Sequence, residues 1–149
     1  MDKKIMAENK RARFDYEILE TYEAGIVLTG DEIKSVRMGY LSLVDCYGFI
    51  KDGECFLRNS YIKEYSNSFD AGRYGDNSRR DRKLLLHKLE IEKMKKKIEQ
   101  DRLTLVPTKA YFVGSNLKVE IAIARGKKLY DKRETLKKKE ITKKIKMEG

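Results

Sequence analysis

The segment 41-LSLVDCYGFIKDGECFLRNSYI-62 sets two apolar-rich runs on either side of Asp52-Gly53. Asp-Gly between alternating hydrophobics is a strong signal for a two-residue hairpin turn, where both central residues take positive φ. The turn fixes a register in which Lys51 faces Glu54, Ile50 faces Cys55 and Cys46 faces Asn59. One face then holds Val44, Cys46, Ile50, Cys55, Leu57 and Tyr61 and is assigned to the core. The other mixes Leu43, Tyr47, Phe49, Phe56 and Ile62 with Asp45, Lys51 and Arg58. Aromatics interleaved with charge serve either as a base-stacking surface or as a seat for a helix, and the helix seat is favoured. Cys46 and Cys55 lie about four residues apart along this ladder, roughly 13 Å. That is too far for a disulfide, so reduced buried thiols in a reducing compartment are expected.

Working outward, Phe14–Leu28 reads as a strand, bent near Ala24-Gly25. Thr29 and Glu32 match a capping box for a helix over about 30–38, with Ile33 and Val36 inward and Gly39 ending it. Residues 64–77 form a polar, glycine-bearing loop. Ser78-Arg79-Arg80-Asp81 reads as the cap of a second helix over about 79–100. Its stripe of Leu84, Ile91, Met94 and Ile98, flanked by Leu85 and Leu89, has core spacing. His87, the sole histidine, lies beside that stripe and is assigned a partly buried, hydrogen-bonded position. Runs 103–113 and 117–124 make a second hairpin around Gly114-Ser115-Asn116, with Pro107 suited to an edge or strand start. The pattern is mainly β with packed helices: a small closed antiparallel barrel related to the OB-fold, spanning residues 14–124.

Charge is concentrated at the ends. The chain carries +10, and residues 125–149 hold eleven basic residues against four acids, +7 of that total. Their scattered apolar residues cannot offset chain entropy, so a tail disordered in isolation is expected. Residues 1–13 read as a flexible basic arm. A concentrated positive charge on a flexible segment is usually a polyanion-binding device, with a merely solubilising tail as the alternative. No apolar run resembles a signal peptide or approaches transmembrane length, which makes a soluble, cytoplasmic protein the expectation.

Catalytic constellations are not found in the sequence. It has no glycine-rich phosphate loop, no Cys-x-x-Cys, no pair of histidines and no candidate base beyond His87. Carboxylates sit mostly beside Lys or Arg, as solvated ion pairs do. The reading is a non-enzyme without metal or cofactor.

Six runs, in order and with compatible spacing, carry a resemblance. They are Asn9–Arg13 (NKRAR), Tyr22–Gly30 (YEAGIVLTG), Glu32–Arg37 (EIKSVR), Arg82–Leu86 (RKLLL), Leu103–Pro107 (LTLVP) and Gly126–Glu134 (GKKLYDKRE). Together they resemble the bacterial small protein B family (SmpB), the SsrA-binding partners of transfer-messenger RNA (tmRNA) in trans-translation and ribosome rescue. Phe14 departs from the histidine many members carry, and the 66–78 loop lacks the proline expected before the second helix.

The resemblance implies an OB-like barrel that holds the tRNA-like domain of tmRNA. It implies entry of the alanine-charged complex, carried by elongation factor Tu, into the A site of a stalled ribosome. Alanyl-tRNA synthetase is then a partner only through the RNA. The tail would fill the empty mRNA channel and decoding region. By position, RNA contact is implied for Asn9, Lys10, Arg11, Tyr16, Glu23 and Leu85, with Arg82 and Lys83 beside them. A ribosome-facing role is implied for Gly126, Lys127, Lys128, Tyr130, Asp131, Lys132 and Arg133. Lys10 and Arg11 can neutralise phosphates and Tyr16 can stack, whereas Glu23 needs a 2′-hydroxyl or base donor. Competing readings are a generic OB-type ribosomal or translation-factor RNA binder and a membrane-surface protein. A thin tail stripe without an aromatic-rich face counts against the membrane.

Overall fold

The structure is a computed structural model that describes residues 3–64 and 77–127. Nine strands and three helices are built within them, in an order set mostly by local turn and cap chemistry. The first hairpin forms in the expected register: β4 (Tyr47–Lys51) and β5 (Glu54–Arg58) pair Lys51 with Glu54 and Ile50 with Cys55. Asp52 and Gly53 both take positive φ, as this turn requires.

Beyond Tyr47 the expected faces are wrong. Val44 is 60% exposed, while Leu43 and Ile62, assigned outward, are buried at 2% each. Asp45 and Asn59 both adopt positive φ, and the Asn59 side-chain amide donates to the Asp45 carbonyl at 3.1 Å. This turn breaks the two-residue alternation and restarts it in β3 (Leu41–Ser42) and β6 (Tyr61–Ile62), where Leu41 pairs with Ile62. Both cysteines are free and buried. Burial pushes the Cys46 thiol up to about 12 and the Cys55 thiol up to about 11, so both stay protonated.

Helix α2 (Gly30–Arg37) starts with the expected capping box: Thr29 N–H donates to Glu32 at 2.9 Å, and Glu32 N–H to the Thr29 hydroxyl at 3.2 Å. Val36 points fully into the core and Gly39 leaves the helix at φ +91°.

Two other expectations are corrected. Residues 3–8 are not a loose arm: they form β1 (Lys3–Glu8), antiparallel to β8 (Thr104–Val113), followed by α1 (Ala12–Asp15). The second helix does not begin at 79. Arg82–Leu85 is strand β7, pairing with β5 and with β2 (Tyr16–Ile26), and α3 (Lys88–Asp101) starts after it. The α3 cap is His87, whose backbone N–H donates to Glu90 at 3.1 Å while its side chain is exposed. Of the proposed stripe, Ile91 and Met94 are buried on α3, Leu84 is buried on β7, and Leu85 and Leu89 are exposed at 53% and 71%. The helix ends on Arg102 in the left-handed region.

The second hairpin joins β8 to β9 (Asn116–Gly126) through Gly114-Ser115. Pro107 lies inside β8 and pairs with Ile121 of β9, but on its other flank the β1 ladder stops at Lys109 and β4 pairs at Leu105, so the proline meets the expected edge condition locally. It sits at the register slip between Pro107 and Lys109, where a missing N–H costs no regular ladder bond. At Ala24-Gly25, where the bend in β2 is expected, pairing with β9 is regular; the register slips instead between Ile18 and Glu20.

Strands β8-β4-β5-β7-β2-β9 follow one another and β9 pairs back to β8, so six strands form a hydrogen-bonded ring with β1 attached outside β8. The ring encloses the main core, which includes Leu57, Leu84, Met94, Leu105, Val119, Ile121 and Ile123. It closes at Gly48, whose pairing with Leu105 links β4 to β8. A Cβ there would stand 2.9 Å from Leu105 Cβ and 3.2 Å from Ile121 Cδ1. Gly48→Ala is therefore expected to lower stability by about 1–3 kcal/mol through overpacking. Gly30→Ala, with nothing within 4 Å of its Cβ, is the near-neutral control. Urea midpoints of the two variants decide it; equal midpoints would show that the closure is not tight.

Candidate nucleic-acid interface

Outward-facing residues of β7, β2, β9, β8 and β1 form one continuous surface. One row across it runs Leu85, Gly25, Lys118, Tyr111 and Ile5, and the next runs Glu23, Glu120, Lys109 and Glu8. One end of this surface is covered by α1, where Ala12 seals a small second core of Val106, Ala122 and Ala124, with Tyr16 and Ile18 packed against it.

Asn9 is a fixture of that end. Its backbone N–H donates to Thr108 O at 2.8 Å and its side-chain amide to Pro107 O at 3.0 Å. The side-chain donor is thereby spent on protein, and its effect is to hold the turn that presents Lys10 and Arg11, both exposed. The Arg11 guanidinium lies 3.4 Å from Asp15 and 4.8 Å from the centre of the Phe14 ring. At 71% side-chain exposure this ion pair is largely screened by solvent. Phe14 thus takes up the place expected for a histidine as a stacking partner. Tyr16 is half-buried and lines a polar groove with Asn9, Arg11, Asp15 and Tyr47.

Glu23 is exposed and stands opposite Glu120 on the neighbouring strand. Like charges directly opposite destabilise a sheet. Each carboxylate is held by a hydroxyl from β8: Tyr111 donates to Glu23, and Thr108 donates to Glu120. Lys3 and Lys109 place their ammonium groups 4.8 and 5.9 Å from the Tyr111 ring centre. Burial, then the Glu23 carboxylate, raise the Tyr111 phenol above its ordinary value, so it remains a donor. Tyr111, Thr108 and Glu120 were not among the residues singled out from sequence. The Gly114-Ser115 turn alone places Lys109 beside Glu120, whereas the pairing with Glu23 is long-range and has no local signal.

The structure separates the remaining expected contacts. Leu85 lies on the same surface as Glu23. Lys83 also faces outward but is tied to Glu54 at 3.1 Å beside Phe56. Phe49 and Phe56 stack at 5.3 Å with Arg58 over Phe49 at 4.2 Å, and neither belongs to a core cluster. α3 borders one side of this pair, where Phe49 lines a groove with Lys95 and Glu99.

Arg82 is corrected outright. It is fully buried, and its donors go to Glu32 (2.8 Å), the Ser60 carbonyl (2.7 Å) and hydroxyl (2.9 Å), and the Ser78 carbonyl (3.1 Å). It ties strands together and has no donor left for RNA. Burial would raise the Glu32 carboxyl, but hydrogen bonds from Arg80, Thr29 and Arg82 hold it below its usual range.

At the tail end, Gly126 pairs with Tyr16, Lys127 N–H donates to Asp15 O at 2.8 Å, and its ammonium to Arg13 O at 2.9 Å. Lys128, Tyr130, Asp131, Lys132 and Arg133 lie outside the described residues. Among the described residues no group of three or more His, Cys, Asp or Glu is placed to hold a metal, and no helix is long and apolar enough to cross a membrane.

A closed ring with a polar, mixed-charge surface across its strands defines a small mainly-β protein. The chain belongs to the SmpB family: the SmpB protein family model matches residues 6–148. It is 54% identical over 138 residues to the SsrA-binding protein of Gloeothece citriformis, covering 92% of this chain and 87% of that one. It is 49% identical over 145 residues to the SsrA-binding protein of Sulfurihydrogenibium sp., covering 97% and 93%. A solved chain from the structure described as "tmRNA-SmpB: a journey to the center of the bacterial ribosome" is 47% identical. It superposes with a TM-score of 0.67, covering 87% of this chain and 92% of that one.

Proposed function

We propose that this protein is the cytoplasmic RNA-binding adaptor that holds the tRNA-like domain of tmRNA and delivers it to stalled ribosomes. The observation that carries it is the match to SsrA-binding relatives almost end to end, supported by a strand surface that carries Glu23 and Leu85 and, beside Glu120, the exposed Lys10. In this reading the strand ring acts as a closed OB-like barrel. The tail occupies the empty mRNA channel and decoding region. The SmpB match extends through residue 148, which supports the tail as a working part. Elongation factor Tu and alanyl-tRNA synthetase act through the bound RNA.

Phosphates are met by Lys10 and Arg11, and Tyr16 offers a ring at the groove. Affinity for the tRNA-like domain should fall with salt at a log–log slope of about −0.7 to −0.9 per phosphate neutralised. Lys10→Ala with Arg11→Ala should weaken binding and make that slope shallower by about 2. A titration at four salt concentrations measures both. An unchanged slope and affinity in the double variant would remove these residues from the interface.

A further inference from the structure

We propose that Tyr111 is a positioning residue for RNA recognition, its hydroxyl holding the Glu23 carboxylate as a fixed acceptor for 2′-hydroxyl or base-amine donors. This rests on Glu23 being an RNA contact, as proposed above. Tyr111 is 2% exposed, yet its hydroxyl donates to the exposed Glu23 on β2, 88 residues away in sequence. The fold thus spends a buried tyrosine on an exposed carboxylate, which on a strand surface would otherwise sample many rotamers.

A carboxylate beside an RNA backbone is unfavourable unless it accepts hydrogen bonds. Ionised, it offers about four lone-pair sites. Tyr111 occupies one, leaving the rest for RNA donors while removing the entropy cost of ordering the side chain on binding. Lys3 and Lys109, flanking the Tyr111 ring, supply the positive charge that lets phosphates approach the Glu23–Glu120 pair. Two acids directly opposite each other would be removed from an ordinary sheet. Here each keeps its own hydroxyl donor from the third strand, an arrangement suited to readout of donors.

The test uses the full chain and a transcribed tRNA-like domain of tmRNA as probe. Tyr111→Phe keeps the ring in place and is expected to weaken binding about three- to tenfold, the range of one ordinary hydrogen bond, because the lost bond positions the acceptor and does not itself touch the RNA. Because no phosphate contact is lost, the salt slope should not change. In a Glu23→Ala background, Tyr111→Phe should cause no further loss. If Tyr111→Phe binds normally while Glu23→Ala is weakened, the positioning role is wrong and the Glu23 contact stands. If the two losses simply add, Tyr111 acts independently of Glu23 and the inference is overturned. If Glu23→Ala itself binds normally, the contact on which the inference rests is absent, and both fall.

Discussion

Arg82→Met should unfold at a markedly lower urea midpoint than the wild type, with a loss of about 3–5 kcal/mol. The size follows from what is left behind. Glu32, with a side chain only 13% exposed, would keep Arg80 as its one guanidinium partner, and the Ser60 carbonyl would lose its guanidinium donor while the Ser78 carbonyl kept the Ile62 N–H. An uncompensated buried charge is far costlier than a missing pair, so Glu32→Leu combined with Arg82→Met should recover part of the loss. The pH dependence gives a second reading. Glu32 is depressed in the folded state, so its contribution is present above the ordinary carboxylate range and lost as pH falls through the lower folded value. In Arg82→Met that acid-side loss should shrink. A variant as stable as the wild type would show that the network carries no stability.

The second large effect concerns the tail. A chain stopped after Lys127 should bind the tRNA-like domain within about twofold of normal, since no phosphate contact of the strand face is removed. In a stalled-ribosome tagging assay it should fall to background. The stop must not come earlier. Ending at Ala124 would delete Arg125, Gly126 and Lys127, which pair with Glu17, Tyr16 and Asp15, and would uncover the Ala12–Ala124 cluster. Normal tagging by the chain ending at Lys127 would reduce the tail to a solubilising appendage.

What could be read in the sequence was what local chemistry decides. Asp52-Gly53 alone fixes a turn and a register, and Thr29 with Glu32 alone caps a helix, so both match the structure. Strand β7 was misread because Ser78–Asp81 imitates a helix cap and Leu84 falls seven residues before Ile91, a spacing that suits a helix. Its strand character comes from Cys55 and Leu57, paired with Leu84 and Arg82 far along the sequence. β1 is polar and becomes a strand only against β8. Among site residues, Lys10 and Arg11 were legible as exposed charge. Arg82 was not, because arginines are almost never fully buried unless paired, and its partners come from three separate segments.

One long ladder of the ring runs between β2 and β9, joining Tyr16 to Gly126 and Glu23 to Glu120 across most of the chain. During synthesis, then, the amino-terminal third of the chain waits without its partner while about a hundred further residues are made, and non-local pairing of this kind is slow. Neither Glu23 nor the Lys10–Arg11 turn can be set before β8 and β9 arrive, because Thr108, Pro107 and Tyr111 supply the groups that hold them. A nascent chain therefore cannot hold the proposed contact residues in place until β9 has been made.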